Sequence, residues 1–292
     1  TRDRTYKLAH DLYKHYLTVF PEPKPDADVN YVFFMRFYFA EVLYKLEKFK
    51  ESAENYDRVV AMRPAPKEER DIRVVLTAAE ESVRSWDEMV SDLDRLNTQE
   101  ISGTEKKDIP KDKLQLIEAC RRYTDYVNDD KYKKYVEASV DDIVGIGYKM
   151  ARIYYTYNHF DKAAPAFNRI VKFNPDHEVA CYAANLALDI YNGQKNFRAM
   201  VKATGEYLAN KKLACGEDDR TKFAGIQEKS TFRLGKQEYE DNKKYVLAAR
   251  AYKQFEERFK NSELSDDAVY NSAVNYEHAG RLNRANEMRE YL

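Results

Sequence analysis

The chain has 292 residues, a length that fits one or two globular domains. It carries 49 basic and 50 acidic side chains, and the net charge of −1 argues against nucleic-acid binding through bulk positive charge. With only 9 Gly and 8 Pro, the composition argues against β-sandwiches, Rossmann folds and low-complexity disorder, whereas 24 Tyr and 14 Phe fit helices packed through small and aromatic residues. No stretch approaches 18 uninterrupted apolar residues, so no membrane span is predicted.

The two ends of the chain each predict half of a helix pair. Near the N-terminus, Ala9, Tyr13, Tyr16 and Pro21 fit a second helix whose first helix is missing. The C-terminal residues 290–292 fall partway through another helix. We therefore expect a fragment of a longer repeat protein, because helical arrays need polar caps at their ends.

The first complete helix pair is predicted between residues 39 and 64. Two helices meet at the turn Glu47-Lys48, and the small residues Ala40 and Ser52 stand twelve apart across it. Small side chains at these positions allow two antiparallel helices to approach closely. Pro64 ends the second helix because proline lacks the backbone N–H that a helix requires.

The same pattern returns between residues 150 and 175, at an offset of 111 residues, or three times 37. Equivalent positions are Ala40 and Ala151, Phe49 and Phe160, Ser52 and Ala163, Tyr56 and Phe167, Val59 and Ile170, and Pro64 and Pro175. Partial copies in the same phase begin at Trp86, Ala119, Leu186, Tyr245 and Ala273. The partial copy at Trp86 is interpreted as a second helix, and Pro165 is expected to bend the helix that contains it.

One segment interrupts the repeat. Residues 98–113 are polar, contain Gly103 and Pro110, and lack helical periodicity, which predicts an exposed loop or a boundary between two sub-arrays. The predicted organisation is therefore N-terminal repeats at 1–97, the polar loop or linker at 98–113, and C-terminal repeats at 114–292. An exposed loop should be cleaved first by trypsin, after Lys106, Lys107 or Lys111.

These small, turn, aromatic and Pro positions resemble the tetratricopeptide repeat (TPR) family over most of the chain. The resemblance implies an all-α solenoid of stacked antiparallel helix pairs, curved into a superhelix, with roughly 13–15 helices and no β-sheet. The sequence departs from the family at the turns, where charged or amide residues mostly replace the usual Gly, although Gly280 keeps it.

In TPR arrays the first helices line the concave face, so the resemblance places the partner-binding surface there. The corresponding residues are Phe37, Glu41, Tyr44, Tyr148, Arg152, Tyr155, Tyr270 and Glu277. Phe37, Tyr148 and Tyr270 could instead pack between repeats, whereas Arg152 and Tyr155 are the favoured contacts because Arg and Tyr are frequent at interaction hot spots. The Lys/Asn/Arg clamp of chaperone-binding TPR domains is missing.

The sequence predicts no catalytic site, metal or cofactor. No nucleophile elbow or phosphate-binding loop occurs, and none of the five His has a partner at zinc-ligand spacing. The histidines are interpreted as solvated turn residues, and Gly145-Ile-Gly147 as a close helix contact. Cys120 is expected to be buried. Cys181 and Cys215 fall at neighbouring ends of one predicted helix pair, so they either form a disulfide or remain two separate thiols.

The segment Phe259-Lys-Asn-Ser-Glu-Leu-Ser-Asp-Asp-Ala resembles the linker between repeats in bacterial envelope TPR proteins of the outer-membrane assembly and Tol-associated type. That resemblance implies a periplasmic scaffold that binds protein partners within a larger envelope or motility complex, without nucleic acid and without membrane insertion. A cytoplasmic location remains the alternative. Two other functions stay open: a regulatory TPR segment of a larger enzyme or signalling protein, and a module that binds glycan or peptidoglycan.

Overall fold

The computed structural model describes residues 2–22, 31–62, 69–96 and 105–290. These ranges contain fourteen α-helices, one π-helical turn and no β-strand, so the prediction of an all-α protein with 13–15 helices is confirmed for them. Pro64 lies outside the described residues, as do Gly103 and the rest of 97–104.

The chain divides into two compact units, 1–166 and 167–292. The division falls inside a helix rather than at the polar segment. The helices that begin in the first unit are α1 (Arg2–Val19), α2 (Tyr31–Lys45), α3 (Phe49–Met62), α4 (Glu69–Leu96), α5 (Lys111–Asn128), α6 (Asp130–Lys133), α7 (Val140–Thr156) and α8 (Phe160–Phe173). Those of the second are α9 (Glu178–Gly193), α10 (Phe197–Ala209), α11 (Glu217–Gly235), α12 (Tyr245–Arg258), α13 (Ser265–His278) and α14 (Leu282–Arg289), with the π-helical turn Lys236–Glu240 between α11 and α12.

Five turns share one backbone geometry. Each contains a residue with a φ of 52–71°, and these residues are Glu47, Asn158, Lys195, Lys243 and Gly280. The next residue donates its N–H to the carbonyl five positions earlier, over 2.8–2.9 Å, as Lys48 does to Leu43. This is the hydrogen bond of a Schellman turn, in which a left-handed residue ends the helix. The spacings 158 to 195 and 243 to 280 are both 37 residues, which matches the sequence period.

The small and aromatic repeat positions are buried where paired helices meet. In the first pair, Ala40, Ser52 and Tyr56 are fully buried, and the Ser52 hydroxyl donates to the Ala40 carbonyl over 2.9 Å. The equivalent small residues of the later copies, Ala151, Ala163, Ala248, Ala273 and Ala285, are 0–1% exposed. The contact between small side chains therefore joins the helices as the spacing predicts.

The first unit departs from the predicted repeat at α4. This helix runs unbroken for 28 residues, so Trp86 lies in the middle of one long helix and not in a separate second helix. It packs on both α3 and α5. The Trp86 indole donates to the Asp57 carboxylate over 3.0 Å, and Ser82 and Arg122 donate to the same carboxylate. Asp57 thereby links α3, α4 and α5.

The described end of the polar segment contacts the rest of the first unit, although residues 105, 106, 108 and 110 are exposed. The Lys107 N–H donates to the Tyr157 carbonyl over 3.1 Å, and His159 donates from Nε2 to the Lys107 carbonyl over 2.8 Å. Ile109 is buried in the main core of the first unit. Helix α5 begins at Lys111, so the segment ends three residues earlier than predicted. His159 is therefore a docking residue and not a solvated one.

In the second unit each helix packs on its neighbour in sequence, from α9 to α14. Buried hydrogen bonds fix individual helices: the Tyr252 hydroxyl donates to the Glu240 carboxylate over 2.6 Å, and Asn168 accepts from Tyr207 and donates to Tyr191. Tyr252 and Tyr56 occupy equivalent repeat positions, and both donate to a glutamate of the preceding helical segment. The same tyrosine contact thus recurs in both units.

Replacing Lys195 by Gly should stabilise the protein by about 0.5–1 kcal/mol. A left-handed backbone costs an L-residue roughly 1–2 kcal/mol, and glycine avoids that cost. Part of the gain is lost because glycine gives the unfolded chain more conformational entropy. The control Lys229→Gly lies on the exposed side of α11, where glycine should destabilise by about 1 kcal/mol. Urea denaturation that moves both variants in the same direction would contradict the turn assignment.

Replacing Ile109 by Ala should destabilise the first unit by about 2 kcal/mol, because it empties a buried site. The variant should also become a faster tryptic substrate after Lys106 and Lys107, because the segment loses its buried contact. Leu114→Ala is the control, since Leu114 is 45% exposed. Equal tryptic rates for the wild type and the Ile109 variant would show that the docked segment depends on other contacts.

Candidate partner-binding face

The predicted site residues of α2 mostly contact other residues of the chain. The Phe37 ring packs edge-on against Tyr56 at 5.8 Å, and the Glu41 carboxylate accepts the Tyr56 hydroxyl over 2.6 Å. Burial, followed by the hydrogen bond and charge of Glu41, raises the pKa of Tyr56. Phe37 and Glu41 therefore hold α2 on α3. The sequence pattern indicates this alternative structural role for Phe37 but not for Glu41.

Tyr44 and Tyr155 occupy equivalent places before their turns. Their rings pack edge-on against Phe49 and Phe160, at 5.3 and 5.8 Å. Both tyrosines are half-buried. Burial and the nearby Glu88 carboxylate raise the pKa of the Tyr44 phenol, so Tyr44 lies beside α4. Each ring therefore packs beside the turn that joins the two helices of its pair.

The remaining predicted residues differ in exposure. Arg152 is exposed and Tyr148 half-buried on α7. In the second unit, Tyr270 is 58% exposed, whereas the Glu277 carboxylate accepts a hydrogen bond from Arg289 over 2.5 Å. Arg152 and Tyr270 are thus the predicted contacts that are exposed, and they belong to two separate units, whereas Tyr155 is half-buried.

A groove that the sequence did not reveal lies between α4 and α7 in the first unit, with a volume of about 280 Å³. Its α4 wall carries Glu80, Val83, Arg84 and Asp87, and its α7 wall carries Asp141, Asp142, Gly145, Ile146 and Lys149. Each set follows the three- and four-residue spacing of a single helix face. Arg152 continues the α7 stripe, three positions after Lys149.

The two groove walls run in the same direction. Lys149 forms an ion pair with Asp87, and the Asp142 charge raises the pKa of Glu80, so both cross-groove pairs are 62 residues apart. One constant offset at both ends requires parallel helices. Helix α2 also contacts α4, with Glu41 and Lys45 near Glu81. The first unit therefore presents α2, α4 and α7 beside one another.

Carboxylates outnumber bases in the groove by four to two. Burial raises the pKa of Glu80, with repulsion from Asp142 adding to it and Arg84 opposing it. The neighbouring Glu81 has a raised pKa for the same main reason. Both carboxylates are consequently harder to ionise than exposed ones, because their charge is partly desolvated.

The second unit contains the disulfide between Cys181 and Cys215, which joins the start of α9 to the segment before α11 across a Cα distance of 5.1 Å. The Ala214 N–H also donates to the Pro175 carbonyl, over 2.8 Å. Asp219 lies near the two sulfurs, and Asn185 donates to its carboxylate over 3.2 Å. This is the one group in the described ranges whose composition would suit a metal, but both sulfurs are bonded to each other.

Cys120 lacks the character of a nucleophile. It is fully buried beneath the groove, and burial raises the pKa of its thiol to about 12. A thiol with that pKa is protonated at neutral pH and does not attack substrates. The thiol near the groove therefore supplies no nucleophile.

Comparison with known proteins is sparse. The sequence matches no model of a known protein family, and no curated protein matches it. Among solved structures, the crystal structure of BtubC (BKLC) from P. vanneervenii matches 84% of this chain and 89% of its own, with 13% identity and a TM-score of 0.28. A TM-score that low carries no argument about fold or function. None of the described helices combines the length and apolar character that crossing a bilayer demands.

Replacing Cys181 and Cys215 together by Ser should lower the free energy of unfolding by about 3–4 kcal/mol. The disulfide closes a loop across a sequence separation of 34 residues, which restricts the unfolded chain. Calorimetry with and without a reductant checks this. The reductant should lower the Tm of the wild type and leave the double variant unchanged; a wild type indifferent to full reduction would contradict the expected contribution.

Glu80→Gln should raise the Tm at pH 7.5 and leave it unchanged near pH 4. The folded-state pKa of Glu80 lies above its ordinary value of 4.5, so its ionisation opposes folding. That penalty is present above the folded pKa and disappears as the pH falls toward the unfolded value. Glu54→Gln, at an exposed carboxylate of α3, is the control; a larger gain for it at pH 7.5 would refute the assignment.

Proposed function

We propose that the chain is a non-catalytic TPR-type scaffold that binds a protein partner on its first helices. The observation that carries this proposal is the recurrence of one Schellman turn at five places, each joining two helical segments. Buried small residues follow the same phase. A stacked solenoid explains both recurrences, because each pair must cover the apolar face of the next.

The binding surface in this proposal is the side of the first unit that α2, α4 and α7 form. Arg152 and Tyr155 lie three residues apart on α7, so one partner segment can contact both. Arginine offers a planar set of donors to a carboxylate or carbonyl, and tyrosine adds flat apolar area with a hydroxyl. Phe37 and Glu41 act indirectly by holding α2 in place.

The proposed compartment is the bacterial periplasm. Disulfides persist in oxidising compartments and are rare in the cytosol, and the Cys181–Cys215 bond accords with the former. The envelope-type linker at residues 259–268 points the same way. A cytoplasmic protein would carry two thiols at these positions, and labelling of thiols in freshly lysed cells of the native host separates the two cases.

Partner binding should fall by roughly 2 kcal/mol or more in the double variant Arg152→Ala/Tyr155→Ala if these residues form a hot spot. Affinity purification from the native host with mass spectrometry identifies the partner, and titration calorimetry then gives the affinity. The variant should melt close to the wild type, because neither side chain is in the small-residue contact.

Two further variants complete the test. Arg250→Ala/Leu247→Ala removes exposed side chains of α12 and should bind normally. Ala151→Leu should instead unfold its helix pair, because Ala151 is fully buried against the partner helix. Wild-type affinity in the Arg152/Tyr155 variant, or melting as low as that of the Ala151 variant, would refute the proposed surface.

A further inference from the structure

The bases of the α4–α7 groove are already paired within the chain. Lys149 Nζ contacts Asp87, and Arg84 Nη1 contacts Glu81 over 2.7 Å. The carboxylates at the other end of the groove, Glu80 and Asp142, repel each other. Asp142 also accepts the Ser139 hydroxyl over 2.6 Å at the start of α7, which fixes its position. The end near Glu80 and Asp142 thus carries excess negative charge.

A buried hydroxyl lies under the same end. Tyr123 of α5 is 1% exposed, and its hydroxyl oxygen has no hydrogen-bond partner among the residues described. Burial raises the pKa of this phenol, and the charges of Glu80 and Asp142 raise it further. Tyr123 is not part of the groove lining, so the groove offers a ligand its carboxylates and apolar walls and not this hydroxyl.

The shape of the groove suits a long side chain with a charged end. Val83 and Ile146 supply apolar wall on either side. A side chain at Gly145 would meet no atom within 4 Å, so there is open space beside α7. The methylenes of a lysine or arginine pack along such walls while the charged end reaches polar groups.

We propose that the groove between α4 and α7 binds a lysine or arginine side chain from a basic segment of a partner protein. The cationic end lies between Glu80 and Asp142, and the stem lies between Val83 and Ile146. This assignment rests on the proposed scaffold function and gives its partner a chemistry. The residues concerned lie next to Arg152 on the same face of α7, so one extended segment can reach both.

A metal ion fits the groove less well than an organic cation. Divalent ions need several oxygens converging at short distance. In the described part of the chain, the groove carboxylates form no group of three whose ligand atoms lie within 4.8 Å of one another. Separated carboxylates beside apolar walls match an ammonium or guanidinium group, which donates hydrogen bonds over a wider spread.

The test uses fluorescein-labelled hexalysine and hexaarginine as probes and hexaglutamate as the comparison, with the complete chain and low salt. Fluorescence anisotropy should show binding of at least one basic peptide and none of hexaglutamate. Glu80→Gln should weaken binding about tenfold, the usual scale of one charge-assisted hydrogen bond. Glu54→Gln removes an equal charge outside the groove and should leave affinity within twofold of the wild type.

Two variants separate a specific site from general attraction to acidic surface. Gly145→Leu fills the groove without changing its charge, and should abolish specific binding while the helix stays folded. Tyr123→Phe removes a buried hydroxyl that does not line the groove, and should leave peptide binding within twofold of the wild type. Equal weakening by Glu54→Gln and Glu80→Gln, or unchanged binding in the Gly145 variant, would overturn the proposal.

The outcomes also distinguish this site from the scaffold function. Absence of basic-peptide binding, together with a purified partner that still depends on Arg152 and Tyr155, would overturn the groove assignment alone. Absence of any protein partner would overturn the scaffold function. Saturable binding of Ca²⁺ or Mg²⁺ that Glu80→Gln removes, without peptide binding, would replace the lysine or arginine ligand with a metal and thus refute the proposal.

Discussion

The contact between small residues inside each helix pair is the constraint on which the other features depend. Where Ser52 meets Ala40, a hydroxyl reaches a helix carbonyl over 2.9 Å, so the two helices touch through their backbones. A larger side chain would force them apart, because packed interiors do not absorb extra volume. Close approach in turn requires a short connection, and the left-handed turn residue supplies one. The packing of the small residues and the geometry of the turn therefore both favour the same helix pair.

That close packing explains the distribution of the aromatic residues. Small residues at the centre of a pair leave room for large ones at its edges, and Tyr56 and Tyr252 are buried there with their hydroxyls bonded to glutamates. A phenylalanine at the same place, as at 167, fills the space without needing an acceptor. At these two positions tyrosine therefore adds a hydrogen bond that ties one helix to the next.

The repeat could be predicted from sequence because its signals are local: two small residues twelve apart, an aromatic four later, and a fixed period. The docked segment could not, since Ile109 is a single apolar residue in a polar stretch, and His159, which bonds to Lys107, is 52 positions further along the chain. The continuity of α4 is hidden for a related reason. No proline or glycine lies between residues 69 and 96, which is compatible with one long helix. However, the residues from Trp86 onward match the repeat positions of a second helix, and that match predicts a separate helix there.

The groove could not be predicted from the sequence because it depends on the register between α4 and α7. Glu80 meets Asp142 and Asp87 meets Lys149 only after α4 and α7 lie parallel at one particular offset. Each wall alone looks like an ordinary solvated helix face, with acids and bases three or four apart. Each face has an excess of only one carboxylate over its bases, and the groove brings the two excess carboxylates together.

The excess of carboxylates in the groove matters because the chain as a whole is nearly neutral. At a net charge of −1, long-range attraction to basic molecules is weak, and salt screens what remains within about 8–10 Å. In the proposed complex, a basic partner is therefore selected where partly desolvated carboxylates and apolar walls coincide. A uniformly acidic protein would gain on-rate at the expense of discrimination, since any basic surface would be attracted. Because the excess carboxylates lie in one groove, the preference for a cation arises from the contact in that groove. A partner that places no cation there leaves the Glu80 and Asp142 carboxylates near each other without its positive charge.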